Sequence, residues 1–286
     1  MTQLIRIRQR IKAVSTIRKI TSAMRLISRS FHTRMYREQT HYRDYQAALG
    51  TLFSQVLSQA PTDTKLPFSS ESSGPGHELI IIVGSQKGLC GNFNAPLFYW
   101  IDTHKDHLQS HLVQVVAVGK KVTDHLHRIA TRQLITLPEL KLSSITTLTE
   151  KIFSLVTAGD MPYERVTIIS CSPKSLFSQE CREQQIIPFT SPSAALHPTP
   201  DYSWTHTPQP VLALLVRMHL NERLRNALFS SLLAEYNARF TAMDSATRNA
   251  ENFLDIMKIQ FNKMRQAKIT KELTELAGAF EIQSLV

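Results

Sequence analysis

Between Leu4 and Met35 the chain sets an apolar residue at every third or fourth position: Leu4, Ile7, Ile11, Val14, Ile17, Ile20, Met24, Ile27, Phe31 and Met35. Nine steps over 31 residues give a mean spacing of 3.44, close to the 3.5 of a left-handed coiled coil and shorter than the 3.6 of a straight helix. No proline precedes Pro61 and the only earlier glycine is Gly50, so almost nothing interrupts a helix over residues 1–60. The other end repeats the pattern. Met243, Ala246, Ala250, Phe253, Met257, Phe261, Met264 and Ala267 take seven steps over 24 residues, a mean of 3.43, and after Pro210 the only breaker is Gly278. Some 70 helical residues at about 1.5 Å each make a rod of roughly 105 Å. Two such helices, each with a narrow apolar seam, bury those seams most economically against each other as an antiparallel pair.

The texture changes between the rods. Residues 61–77 (PTDTKLPFSSESSGPGH) are rich in Pro, Ser and Gly and read as a connector. Glu78–Gly84 (ELIIIVG) is a continuous apolar run of the kind found in buried parallel strands. A glycine turn follows, then a helical stretch over about 94–110, a strand at Val113–Val118, helical stretches near 120–132 and 144–158, a strand through Val166–Ser170 and a shorter one at Gln185–Phe189. Strands alternating with helices predict a three-layer α/β domain with a mainly parallel sheet. The expected class is therefore α/β, with that domain inserted into a long antiparallel coiled coil of the terminal helices. The expected division is 1–60 for the first rod, 61–77 for the connector, 78–210 for the α/β domain and 211–286 for the second rod, paired with 1–60.

A length of 286 residues, with 42% hydrophobic and 20% charged residues, suits one or two ordinary globular domains and argues against disorder. No run of eighteen apolar residues occurs, so no membrane-inserted segment is expected. The first residues lack the apolar stretch and cleavage site of a secretory signal, and the expectation is a protein retained where it is made. The charge is unevenly placed. Residues 1–45 carry eleven Lys/Arg against Glu38 and Asp44, or +9 of the total +10. Such a block is a solvated face or a surface for an anionic partner: nucleic acid, acidic membrane or acidic protein.

Candidate chemistry is sparse. The turn Gly84–Asn94 (GSQKGLCGNFN) resembles a phosphate loop in composition, but Gln86 stands where a dinucleotide fingerprint needs glycine, and neither Gly88 nor Gly91 is followed by Lys-Ser/Thr. Gly88 and Gly91 are thus read as structural. Cys90 lacks an identifiable base and reads as a buried inert thiol. His104, His107 and His111 share a helix face at i, i+3 and i+7, without a Cys or carboxylate to complete a metal set. Cys171 and Cys181 fall ten apart, in a strand and what reads as the loop after it, which argues against a redox pair. No catalytic motif is present, and neither a cofactor nor a metal is expected. A basic coiled coil binding nucleic acid non-specifically through counterion release stands as the alternative to a protein-contact role.

Four segments in order resemble the gamma subunit of F-type ATP synthases, the central rotor shaft. Arg10–Met24 (RIKAVSTIRKITSAM) is similar to that family's R-I-x-S-V-x-x-T-x-K-I-T-x-A-M, and Gly88–Asn94 (GLCGNFN) to its G-L-C-G-x-x-N. Ala242–Ala250 is similar to A-M-x-x-A-T-x-N-A, and Asn262–Glu275 to N-x-x-R-Q-A-x-I-T-x-E-I-x-E. The resemblance implies a non-catalytic rotor: a coiled coil inside a hexamer of alpha and beta subunits, and an α/β foot on a ring of membrane c subunits, with epsilon as a further partner. Ion-driven rotation of the ring is then coupled to ATP synthesis or hydrolysis, and nucleic acid is no partner. By the same resemblance, Lys19, Met24, Arg25, Arg265, Gln266 and Thr270 match positions that meet the beta subunit, and Trp204, His206 and Thr207 lie where the foot meets the ring. Thr207 and Gln209 replace the acids of the family's E-P-D-P stretch, and Ala234-Glu235 stands for its S-E. The implied location is peripheral, on the cytoplasmic face of a bacterial inner membrane.

Overall fold

A computed structural model describes residues 2–58, 67–68, 76–157, 163–175, 177–189 and 208–283. Helix α1 runs from Thr2 to Ser58 and helix α6 from Pro208 to Gln283. The chain divides into two compact units, one formed by residues 1–27 with 240–286 and the other by 28–239.

In the first unit α1 and α6 pair antiparallel. Arg25 binds Asp244 at 3.0 Å and Arg18 faces Glu251 at 3.7 Å, so seven residues back along α1 match seven forward along α6. The less exposed positions of α1, Leu4, Ile7, Ile11, Val14, Arg18, Thr21 and Arg25, alternate in steps of three and four. Met243, Thr247, Ala250, Leu254, Met257, Phe261, Met264 and Lys268 do the same on α6. This is the 3.5-residue seam expected of supercoiling helices. The apolar reading matched it through Val14 on α1 and at Met243, Ala250, Met257, Phe261 and Met264 on α6, and missed it elsewhere. Ile17, Ile20 and Ile27 are 52%, 53% and 56% exposed, and Phe253 is 57% exposed. Ala246 and Ala267 flank the α6 seam, whose places are taken by Thr247 and Lys268. The cause is chemical: where the seam is closed by ion pairs and hydroxyls, hydrophobic spacing reports the outer face instead.

The second unit is a five-stranded sheet between two helical layers. Its strands are β1 (Glu78–Val83), β2 (Val113–Val118), β3 (Leu134–Leu137), β4 (Arg165–Pro173) and β5 (Gln179–Ile187). The order is β3-β2-β1-β4-β5, with only β5 antiparallel, against β4. The helices are α2 (Ala95–Thr103), α3 (Lys105–Leu108), α4 (Lys120–Arg128) and α5 (Ile145–Thr157). Alternation along β1 feeds two cores. Leu79, Ile81 and Val83 pack with Phe53 of α1, Ile152 of α5 and Leu224 and Leu228 of α6. Ile80 and Ile82 pack with Leu97 and Ile101 of α2 and with Val122 and Leu126 of α4. Ala234 and Ala238 of α6 join this second core beside Ile169 and Cys171. Within this unit, too, α1 and α6 run antiparallel: Phe31 stacks on Tyr236 at 4.5 Å, and eleven residues on, Tyr42 accepts a 2.7 Å hydrogen bond from Arg225.

The architecture is thus the three-layer α/β arrangement joined to long paired terminal helices, with four departures in detail. The helical stretch over 94–110 breaks at His104, whose ring stacks on Trp100 at 4.2 Å and places Nδ1 2.8 Å from the Trp100 carbonyl, which also accepts the His104 backbone N–H at 3.0 Å. The stretch near 120–132 stops at Arg128, with Ala130 in the left-handed region at φ 55°. Strand β3 was not expected, because four residues at a sheet edge make too short a pattern. Strand β5 is nine residues long where a short one was expected. It is an edge strand with polar residues on both faces, so its sequence lacks an apolar run.

Candidate partner interface

In the first unit the apolar seam is interrupted, between Arg18 and Arg25, by a ladder of polar pairs. Asp244 receives Arg25 on one carboxylate oxygen at 3.0 Å and Arg248 on the other at 2.9 Å. The hydroxyls of Thr21 and Thr247, both buried, share a 3.0 Å hydrogen bond, and Arg18 faces Glu251 one turn beyond. Arg18, Thr21 and Arg25 are each answered across the pair, as half-buried polar groups require, while Arg248 adds a bond from Asp244's own helix. Arg25 is therefore engaged within the chain, whereas among the described residues neither Lys19 nor Arg265 has an ion-pair partner. Met24 is partly covered, and Lys19, Arg265, Gln266 and Thr270 are exposed, the last accepting the Thr274 hydroxyl through its carbonyl. The six positions form two zones, not one. Arg265 lies fourteen residues beyond Glu251, the partner of Arg18, which is about 21 Å along the axis. Around them the helices present Ile17, Ile20, Ile27, Phe253, Ile256 and Ile259, each more than half exposed. Sequence reading missed the polar ladder. Its signal was there: Arg18 and Arg25 are seven apart, as are Asp244 and Glu251.

In the second unit the Gly84–Asn94 turn is packed shut. Asn94 holds it by accepting the Ser85 N–H at 3.1 Å and donating to the Ser85 hydroxyl at 2.7 Å. The first free N–H groups of α4 are taken up by the turn: Lys120 donates to the Gln86 amide oxygen at 3.0 Å and Lys121 to the Ser85 carbonyl at 3.1 Å. A Cβ at Gly84 would lie 2.2 Å from Val122, and one at Gly119 (φ 97°) would lie 2.3 Å from the Gly84 carbonyl. Anion binding by this helix start is thereby forestalled, since its donors already have partners. Gly91 is left-handed at φ 55°, as its residue type suits, while a Cβ at Gly88 would meet nothing within 4 Å.

Beside the turn, Arg239 binds Glu235 at 2.6 Å in a nearly enclosed pair, and its guanidinium also reaches the Lys87 carbonyl at 3.4 Å. Burial raises the Glu235 carboxyl above its ordinary value; the Arg239 charge opposes this, as does Lys87. A cavity of about 330 Å3 opens here, lined among others by Arg34, Lys87, Glu139, Lys141, Glu235 and Arg239. The three histidines do not converge. His104 is turned to Trp100, His107 to Glu78 at 2.8 Å and His111 to Arg132. Among the described residues no His, Cys, Asp or Glu cluster could hold a metal ion, and no helix is long and apolar enough to cross a membrane. Trp204, His206 and Thr207 lie outside the described residues.

Comparison with known proteins meets this geometry from outside. The sequence pattern of the ATP synthase family matches residues 3–282. The ATP synthase gamma chain of Chlorobaculum tepidum is 29% identical over 284 residues, covering 96% of both chains. That of Prosthecochloris aestuarii is 29% identical over 294 residues and covers 99% of both. Among solved structures, a chain of the mitochondrial ATP synthase of Euglena gracilis, in an OSCP/F1/c-ring assembly, superposes with a TM-score of 0.67 at 13% identity, covering 99% of this chain and 95% of that one. A chain of the Euglena rotor gives 0.63 at 12% identity, covering 94% and 99%. Nothing in these relatives supports the nucleic-acid alternative, and Arg18 and Arg25 of the basic arm are occupied by acids of α6. Length, motif order and fold agree, and the chain belongs to the ATP synthase family, as one of its gamma chains.

Proposed function

We propose that the chain is the central-stalk rotor of an F-type ATP synthase and carries no catalytic site of its own, turning within a ring of alpha and beta subunits. The observation that supports this most directly is the exposed apolar surface of the first unit. Outside a seam of mixed apolar and polar residues, Ile17, Ile20, Ile27, Phe253, Ile256 and Ile259 face outward. Apolar surface of that kind is a place for other chains. A rotor transmits force only through contacts that differ in free energy between partner conformations, and an asymmetric helical pair supplies such differences without chemistry. The two zones take different parts. Lys19 and Met24 make one contact level on the beta subunits, with Arg25 held in place by Asp244. Arg265, Gln266 and Thr270 make the other, where the free guanidinium of Arg265 suits a bidentate carboxylate. The α/β domain over residues 78–210 serves as the foot on the c ring, with Trp204, His206 and Thr207 near the contact and epsilon alongside. The assembly sits peripherally on the cytoplasmic face of a bacterial inner membrane.

The test is coupling. In membranes carrying the assembled complex, removal of residues 262–286 or the triple change R265A/Q266A/T270A is expected to lower ion pumping per ATP hydrolysed severalfold. An unchanged ratio in both variants would overturn the contact assignment.

A further inference from the structure

All three cysteines of the chain, separated by 81 and 10 residues in sequence, meet in the second core of the α/β unit. Two of them are a register pair. Cys181 lies not in a loop, as its spacing from Cys171 suggested, but on β5 directly opposite Cys171 on β4, which removes the argument against a pair; both are free thiols. Residues facing each other across antiparallel strands have Cα atoms about 4.5 or 5.5 Å apart, according to the pair type, and both distances fall in the range that a disulfide spans. Cys171 is buried; Cys181 is partly exposed on the edge strand. The Cys181 side opens on a recess of about 520 Å3 walled by Asn92, Pro96, Tyr99, Trp100 and Glu183. Trp100 donates to Glu183 at 3.3 Å, fixing one side of this entrance. The third thiol, Cys90, in the same core, is engaged by the turn, with its sulfur 3.7 Å from the Ser85 hydroxyl and 3.6 Å from the Asn94 amide.

We infer that Cys171 and Cys181 form a reversible cross-strand dithiol–disulfide site that exchanges with a low-molecular-weight disulfide entering from the Trp100 recess. The thiolate of Cys181, the reachable sulfur, attacks one sulfur of the small disulfide. A protein–small-molecule mixed disulfide forms and one small thiolate leaves. Cys171, losing its proton to solvent as it reacts, attacks the Cys181 sulfur and expels the second small thiolate, which takes up a proton. One small disulfide is reduced to two thiols while two protein thiols are oxidised to one disulfide, and a reducing dithiol reverses the sequence. The roles follow from position, since the buried partner cannot be the first to meet solvent. The protonation preferences agree with it: the hydrogen bond that Cys171 makes to Cys181 lowers the Cys181 thiol below its ordinary value, while that bond and burial hold the Cys171 thiol far above its own.

The full chain, equilibrated with oxidised glutathione, is to be assayed by free-thiol titration and peptide mass mapping. The free thiols should fall from three to one, with a single intrachain Cys171–Cys181 link and Cys90 unmodified. C90A should lose both of its remaining thiols. C171S should instead stop at a mixed disulfide on Cys181. Three surviving thiols, a mixed disulfide persisting on Cys181 in the unaltered chain, a link to Cys90 or a link between two chains would each overturn the inference. Because the chemistry is read on the free chain, its failure would leave the rotor assignment standing, and loss of coupling in the Arg265 variants would leave this site standing.

Discussion

Asn94 and Glu235 each hold a local structure that tolerates little change. The Asn94 amide closes the turn from both sides, accepting from the Ser85 backbone and donating to its hydroxyl, and Ser85 is fully buried. Replacing Asn94 with Ala strands the Ser85 N–H and hydroxyl, at a cost of about 1–3 kcal/mol. A lowered midpoint in urea, with an unchanged slope, is the expected result. Glu235 gives a pH prediction. Its carboxyl is raised above the ordinary 4.5 by burial, and Glu139 pushes it the same way against Arg239 and Lys87. Between 4.5 and the raised value the folded chain holds a proton that the unfolded chain has released. Stability from this group therefore falls as pH rises through that window. E235Q should flatten the dependence in melting curves taken from pH 4 to 7, relative to the parent. R239A, which leaves the carboxylate buried without its partner, should cost about 3–5 kcal/mol at neutral pH. Both residues stood in stretches the sequence singled out, but the role of neither was legible in advance. A lone Asn after glycines and an Arg four residues after a Glu mean little until the fold encloses them.

The elements divide by how far hydrophobicity controls them. Strands β1 and β2 and helix α5 were legible to within a residue or two, because each is buried along a whole face and its side chains report the burial. β3 and β5 were hard to see because edge strands face solvent, and the break between α2 and α3 because apolar spacing runs on through His104. For the seam of the first unit the α1 pattern was legible as far as Val14 and the α6 pattern at Met243, Ala250, Met257, Phe261 and Met264; it was lost where charges and hydroxyls take the seam positions. A double-mutant cycle on Arg25 and Asp244 should yield a coupling of about 0.5–1 kcal/mol, modest because both side chains are partly solvated. The two threonines should respond differently. T247V alone leaves the Thr21 hydroxyl without its partner across the seam, whereas T21V/T247V together should recover most of the loss, a contrast that thermal melts resolve.

For the molecule as a whole, identity was legible through four ordered motifs, two of which already set the proposed contact residues in separate groups; the distance between those groups along the axis was not legible. The outward isoleucines give the sharpest test at this scale. I17Q/I20Q/I27Q should change the stability of the isolated chain by no more than about 0.5 kcal/mol, since none of the three packs in the seam. Binding to an alpha–beta hexamer should weaken at least tenfold, each tenfold step being about 1.4 kcal/mol. Equal affinity would return those residues to ordinary exposed surface. The polar ladder has a mechanical corollary. Sliding one helix past the other by a heptad would carry Arg18 from Glu251 to Lys258, setting two cations face to face. A greasy seam of equivalent leucines would slip at small cost under torsion. Here a heptad shift in either direction breaks the Thr21–Thr247 bond and one of the two ion pairs, so the native register is favoured and twist applied at one end of the pair is delivered at the other with less spent in creep.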